Sequence, residues 1–458
     1  MTQTQPKDCR AILQAQGAAA LKAAAVDAVP FEAESEQPQA QPEPAGRFYY
    51  DGTRYFLDTG AEFVPLDQRS VTRHLKRWGC DRDTIDGALC EIQTARHIHF
   101  AGPLAGHPRG LHVVGGRKLL ATVSPEIIAP KPGPWGTLRA VFEGLLADDE
   151  AGTVQVETWL AWLKYARESL VSNRRRPGQA LALAGPRGCG KSLLLDVTAL
   201  ALGGRRANPY ANFTGRTNFN GDLAGAELLA VDDESGSTDI RSRRNLSASI
   251  KACLFSGAVR IEAKNATPFT FAPCWRMLLA LNDEPEALLV LPPLTEDIAD
   301  KLTLLRCHKR PLPMPAFTME ERAAFFETLR GELPGLLAWL EAWEVPAALR
   351  EERCGVTAYH HPALVASLHE LSPEGQLVAL VDTAAAAGAL PLPWIGTAAE
   401  LKGILAGCHQ TSRDAEKLLG GWHAATGAYL ARMEGGRVER LPMLHGVLRW
   451  RVLGGLVG

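Results

Sequence analysis

The sequence predicts an α/β protein. A phosphate-loop nucleotide-binding core lies between a small N-terminal α+β domain and a C-terminal unit of three helices and a hairpin. Three observations predict it. Gly185-Pro186-Arg187-Gly188-Cys189-Gly190-Lys191-Ser192 matches the Walker A pattern G-x-x-x-x-G-K-[ST], between the apolar run Gln179–Ala184 and the helical stretch Leu193–Leu202. A second apolar strand, Leu228–Val231, ends in Asp232-Asp233-Glu234. A third, Arg276–Leu281, ends in Asn282.

Each motif carries a chemical expectation. Glycines let the loop turn its N–H groups inward as a nest for phosphates, and the following helix adds a partial positive charge behind them. Lys191 is then placed to reach the β- and γ-phosphates and Ser192 to ligate magnesium, so ATP and Mg2+ are the expected cofactors. At the acidic strand end two registers fit. Asp232 holds the metal with Asp233 as the base that polarises water, or Asp233 holds it with Glu234 as base. Asn282 suits a residue that orients the hydrolytic water and senses the γ-phosphate, although an Asn before Asp283-Glu284-Pro285 also suits a plain turn.

Composition narrows the rest. The chain has 458 residues, 46% of them apolar, enough for several packed cores. Nine cysteines show no C-x-x-C pair, which argues against a disulfide framework or zinc ribbon. No apolar run approaches a membrane span and no secretory signal is apparent, so a cytoplasmic protein is expected. A net charge of −2 means that any nucleic acid must be held by local basic patches.

In chain order, residues 1–46 read as a disordered leader, because the acid, Gln and Pro tract Glu32–Pro44 cannot bury enough apolar surface to offset its ordering entropy. Residues 47–130 read as a small α+β domain opening with a hairpin around Asp51-Gly52. In it, Asp81-Arg82-Asp83 reads as a helix cap, and Cys80, Cys90, His97 and His99 fit no zinc spacing. Residues 131–178 read as a Lys-Pro-Gly-Pro linker and two amphipathic helices, 179–315 as the nucleotide core, and 316–373 as helices over Met319–Arg330, Leu333–Glu344 and Ala363–Leu371. Residues 374–458 read as three helices and a hairpin, a winged-helix-like pattern with Arg437, Arg440, Arg449 and Arg451 as phosphate-contact candidates.

Between the acidic strand and Asn282 lie Lys251, Gly257, Ile261-Glu262 and Lys264. The ordered set resembles the superfamily 3 helicases, AAA+ motors of viruses, phages and plasmids, and more closely the primase–helicase proteins of phages and prophages. The resemblance implies a ring-forming, ATP-driven helicase that moves along single-stranded DNA in replication. It implies a homo-oligomer, a hexamer by expectation, and a separate primase or polymerase as a possible partner, since Arg47–Pro130 is short for a primase domain. It also implies a B-prime hairpin that grips DNA in the channel. Lys251, Lys264, Arg260, Arg243 and Arg244 form a basic region consistent with that. The family's arginine finger follows the sensor Asn; here Arg306 is the first candidate and Lys301 the reserve, acting across a subunit boundary. The alternatives are a DNA-binding P-loop regulator and an initiator or loader ATPase without unwinding activity.

Overall fold

The computed structural model describes residues 44–148, 152–232, 240–264 and 267–454. Two compact units divide at Ile98/His99.

In the first unit, β1 (Phe48–Tyr50), β2 (Tyr55–Asp58) and β3 (Phe63–Leu66) form an antiparallel sheet in that order. The expected hairpin is present: Asp51 Oδ1 accepts the Thr53 and Arg54 N–H groups at 2.9 and 2.7 Å, and Gly52 takes φ 96°. Helices α1 (Gln68–Arg77) and α2 (Arg82–Thr94) begin at Asp67 and Asp81, whose side chains accept from Ser70 N and Thr84 N. Asp81 is thus a cap, satisfying an N–H that the helix cannot. Phe48, Leu57, Leu75 and Ile92 fill the core.

The remaining strands assigned from sequence to this domain belong to the second unit. β4 (Phe100–Gly102), β5 (Gly110–Val114) and β6 (Arg117–Ala121) form a sheet ordered β4-β6-β5. The domain boundary therefore falls at Ile98, not near 130. The reason is burial: Leu104, Leu119 and Ala121 share a core with Leu229 and Phe269. Main-chain bonds fix the seam, Ala105 N to Ala224 O at 2.7 Å and Gly106 N to Glu227 Oε1 at 2.9 Å. The Lys-Pro-Gly-Pro stretch is likewise packed. Lys131 N donates to Pro334 O at 3.0 Å, and a Cβ on Gly335 would meet Gly133 O at 2.7 Å.

Helices α3 (Gly136–Leu146) and α4 (Val154–Val171) precede a five-stranded, all-parallel sheet. It is built from β7 (Ala180–Ala184), β8 (Arg206–Ala207), β9 (Leu228–Asp232), β12 (Arg276–Leu281) and β13 (Leu302–Arg306), ordered β13-β7-β12-β9-β8. All five residues of β7 and all six of β12 are buried, the near-continuous apolar run that a sheet covered on both faces requires. One face packs against α3, α4, α5 (Lys191–Ala201) and a later helix, α10. The other carries α6 (Tyr210–Phe213), α7 (Ile240–Ile250) and the antiparallel pair β10 (Val259–Ile261) and β11 (Phe269–Phe271). Short helices α8 (Pro285–Leu288) and α9 (Glu296–Ala299) join β12 to β13.

Helix α10 (Met319–Ala342) replaces the two helices expected there. It runs unbroken for 24 residues with Pro334 inside it. A Thr318/Glu321 capping box starts it, and Leu329, Leu333, Leu336, Leu337 and Leu340 bury one stripe. That burial outweighs the ~3 kcal/mol that an interior proline costs. The strand pair β14 (Arg350–Glu351) and β15 (Gly355–Val356) and helix α11 (Pro362–Glu370) follow.

The C-terminal part differs from three helices and a hairpin by one helix and one strand. It has α12 (Pro373–Ala386), β16 (Trp394–Gly396), α13 (Ala398–Gly407), α14 (Ser412–Leu419), α15 (Ala425–Arg432), β17 (Val438–Leu444) and β18 (Val447–Val452). The sheet runs β16-β18-β17 over a core containing Leu377, Leu405, Leu430 and Trp450. Gly420-Gly421 ends α14, so the last of the three expected helices stops at Leu419, and a fourth, α15, follows it from Ala425.

Candidate nucleotide site

The parallel sheet places the C-terminal ends of β7, β9, β12 and β13 along one edge, where ligands of open α/β sheets bind. The three motifs meet there. Gly185 leaves β7 so close to β13 that a Cβ would lie 2.4 Å from Cys307 O. Gly188 and Gly190 take φ 71° and 114°, which lets the loop fold back before α5 begins at Lys191. Lys191 Nζ donates to Gly185 O at 2.7 Å, Pro186 O at 2.9 Å and Asn282 Oδ1 at 3.2 Å. Ser192 Oγ donates to Asp232 Oδ1 at 3.3 Å. Pro186 and Arg187 form the outer side of the loop, Pro186 half-buried and Arg187 exposed.

Lys191 is buried, 8% exposed, and not the surface-cleft charge that its position in a loop suggests. Its ammonium fills its donor capacity with carbonyl and amide oxygens that the loop and β12 supply. Ser192 and Asp232 offer two oxygen donors side by side, a set that suits a hard divalent cation such as Mg2+. Asp233 and Glu234, the rest of both acidic registers, lie outside the described residues.

Sequence spacing gave no hint of Cys307. Its N–H donates to Ala184 O at 2.7 Å, and its thiol is hydrogen-bonded to Cys189 of the loop. That hydrogen bond, aided by the Lys191 charge and opposed by burial, pulls the Cys189 thiol down to about 6. Burial pushes Cys307 well up, so the shared proton stays on Cys307. The expected result is that iodoacetamide alkylates Cys189 with a midpoint near pH 6: slowly below it, where the thiol is protonated, and at a pH-independent rate above it. Peptide mass mapping across pH 5–9 measures this. A midpoint near 8.5 for Cys189 contradicts it, and Cys307→Ala should move the midpoint upward.

The two finger candidates sit at opposite ends of one strand. Arg306 pairs with Ala184 across the β13–β7 ladder, level with the start of its own chain's glycine loop. Its main-chain N–H is held by Gln155 Oε1 at 2.7 Å. Lys301 lies at the other end, where its carbonyl accepts from Ala180 N. Five steps along the strand separate the two, roughly 16 Å. Lys301 Nζ is paired with Asp300 at 2.5 Å and lies 5.6 Å from the Phe255 ring centre.

The basic residues divide. Arg243 is a correction: it is 9% exposed and its Nε donates to Leu291 O at 2.9 Å, so it clamps α7 to the chain after α8 and offers no free charge to DNA. Burial lowers its affinity for a proton accordingly. Lys251 opens a π-helical turn, Lys251–Phe255, and is paired with Asp297. Arg260 pairs with Glu262 at 2.6 Å on the β10–β11 ribbon. Arg244 is exposed on α7, and Lys264 is exposed where β10 has ended. Of the C-terminal candidates, Arg437 makes a bidentate pair with Asp382 and Arg451 pairs with Glu439.

Residues 183–294 match a family described as a family of unknown function (DUF5906). No curated protein matches the chain. Among solved structures, an apo structure of the NrS-1 C-terminal region (305–718) is similar with a TM-score of 0.53 at 13% identity, covering 89% of this chain and 96% of that one. An A-form apo structure of the same region gives 0.52 at 13% identity with the same coverage. A JCV helicase structure aligns over 51% of this chain and 66% of that one at 16% identity, with a TM-score of 0.24. The chain therefore shares the mixed α/β fold of the NrS-1 C-terminal region. No helix among the described residues is long and apolar enough to cross a membrane.

Proposed function

We propose that this protein is an ATP-dependent replication helicase of the superfamily 3 kind, with an AAA+ core and a C-terminal winged helix. One observation carries the reading: Lys191 reaches Asn282 while Ser192 reaches Asp232, so three motifs far apart in sequence converge on one sheet edge. The strand order β13-β7-β12-β9-β8, all parallel, is the arrangement that sets a sensor strand between the two Walker strands. In the C-terminal part, helix, short strand, helices and a closing hairpin follow one another as a winged helix requires.

With ATP and Mg2+ bound, the cation would sit on Ser192 and Asp232 and offset charge on the phosphates. Lys191, now held by loop carbonyls and Asn282, would be the cation for the phosphate oxygens. Asn282 would orient the attacking water, with an acid of the Asp232-Asp233-Glu234 run as base. Arg306, level with the loop of its own chain, supplies a cation in cis. The role across a subunit boundary expected from the resemblance is the alternative, and the mixing experiment in the Discussion separates the two.

The exposed Lys264 beyond β10 fits a phosphate contact on single-stranded DNA. Lys264→Ala should weaken oligodeoxythymidylate binding and flatten its log–log salt dependence by about 0.7, one contact's worth. Fluorescence anisotropy across a salt series measures it, and an unchanged slope makes Lys264 structural. The reading as a whole is tested by unwinding of a labelled fork with Mg2+ and ATP, alongside ATPase assays with and without DNA. Strand displacement is expected. DNA-stimulated ATPase without displacement would point to a regulator, initiator or loader.

A further inference from the structure

A large open cleft of about 1590 Å³ lies between α7 with its π-helical turn on one side and α11, α12, α14 and α15 on the other. Its volume exceeds the 300–1,000 Å³ typical of sites built around one small molecule, which suits a length of polymer. Among the described residues lining it are six Arg or Lys and two carboxylates, Asp297 and Glu374; setting aside Arg243, turned in to Leu291 O, and Arg437, paired with Asp382, four cations face those two acids. In a chain of net charge −2 that excess is local. Such a concentration of one sign in a low-dielectric trough focuses an attractive field on polyanions.

The cations come from both walls. Arg244 and Lys251 stand on the core side, Lys417 and Arg432 on the C-terminal side. Lys251 pairs with Asp297, and Arg432 pairs with Glu374 at 2.7 Å. The Lys251, Asp297 and Arg432 side chains are one-third to two-thirds exposed, and only Glu374 is largely covered. Pairs open to solvent in this way are weak and salt-screened, so a phosphate can take the carboxylate's place.

The cleft also holds an aromatic platform. Trp422 follows Gly420-Gly421 in the turn between α14 and α15 and is 49% exposed. Tyr429 is covered instead by the Arg432 guanidinium, 5.8 Å from the ring centre. An indole left in water beside a row of cations, with glycines before it to let it move, is the pairing of base-stacking face and phosphate contacts that single-stranded nucleic acid uses.

We propose that this cleft is a second site for single-stranded nucleic acid, separate from the β10–β11 ribbon. Arg244, Lys417 and Arg432 contact phosphates and Trp422 stacks a base. The inference rests on the helicase reading above. It assigns to that function a segment of strand held between the core and the C-terminal part, so that any movement of one against the other acts on the bound strand.

The experiment uses the full chain and a fluorescein-labelled oligodeoxythymidylate, with anisotropy read across a salt series. Trp422→Ala should weaken binding about 5- to 100-fold, and Trp422→Phe should restore most of it, because stacking needs only an aromatic face. Arg244→Glu with Lys417→Glu should weaken binding and flatten the log–log salt slope by about 1.4, two contacts' worth. Thermal unfolding midpoints equal to wild type show that the variants fold. Unchanged affinity and slope in these variants, with Lys264→Ala still impaired, overturns the cleft site and leaves the helicase reading standing. No binding by the wild-type chain even at low salt overturns both.

Discussion

Replacing Lys191 with Ala should reduce ATP turnover by at least about 10²- to 10³-fold, the cost of removing one preorganised donor from a charge-stabilising site. The same substitution should lower stability by about 1–3 kcal/mol. The ammonium is buried and donates to Gly185 O, Pro186 O and Asn282 Oδ1, and its loss leaves acceptors with fewer partners. Both effects are read on one preparation, by a coupled ATPase assay and by urea unfolding. Turnover at the wild-type level in folded Lys191→Ala removes the nucleotide site from this loop. A stability change of zero with turnover lost would mean that the carbonyl contacts are not kept in solution.

Arg306→Ala should also cost turnover heavily, within the ~10³–10⁵ that a guanidinium facing the transferred phosphoryl group contributes in related chemistry. The question is whose nucleotide it serves. Arg306 pairs with Ala184, the residue before the glycine loop, so its backbone is level with its own chain's loop, and it is proposed above to act there. A guanidinium keeps its charge there and presents a planar fork to phosphate oxygens. Mixing Lys191→Ala with Arg306→Ala should therefore restore nothing, because each variant carries its defect in the same site that its partner residue needs. Recovery of ATPase in demonstrated mixed assemblies would return Arg306 to a role across a subunit boundary. Full activity of Arg306→Ala alone would remove it from catalysis and leave Lys301, whose side chain is engaged with Asp300 and Phe255, as the cation to test.

These two residues show how differently the site was legible. Lys191 could be placed from spacing alone, because a glycine loop between a buried strand and a helix is a local pattern. Its burial could not, since Asn282 Oδ1, the one distant acceptor among its three, becomes a neighbour only when β7 and β12 pair. Asn282 fits both a sensor and a turn residue in the sequence, and only strand pairing shows its Oδ1 3.2 Å from Lys191 Nζ. Arg243 looked like one more member of a basic cluster, and only the fold shows its guanidinium turned inward to Leu291 O.

The sequence by itself determined the parts whose physics acts within a few residues. Those are the glycine loop before α5, the strands that carry its motifs, the Asp51-Gly52 turn and the Asp81 cap. Each is a matter of backbone freedom, apolar run length or one side chain reaching the next turn. Tertiary structure decided what depends on contacts between distant segments. It set the boundary at Ile98, where β4–β6 are claimed by the core because Leu104, Leu119 and Ala121 find apolar cover there. It kept α10 whole across Pro334, because one stripe of leucines buries more than the proline disrupts. It brought Cys307 to Cys189 and gathered Arg244, Lys417 and Trp422 around one cleft. No pattern in the chain encodes those meetings, because the side chains involved are neighbours only through the order in which strands and helices pack.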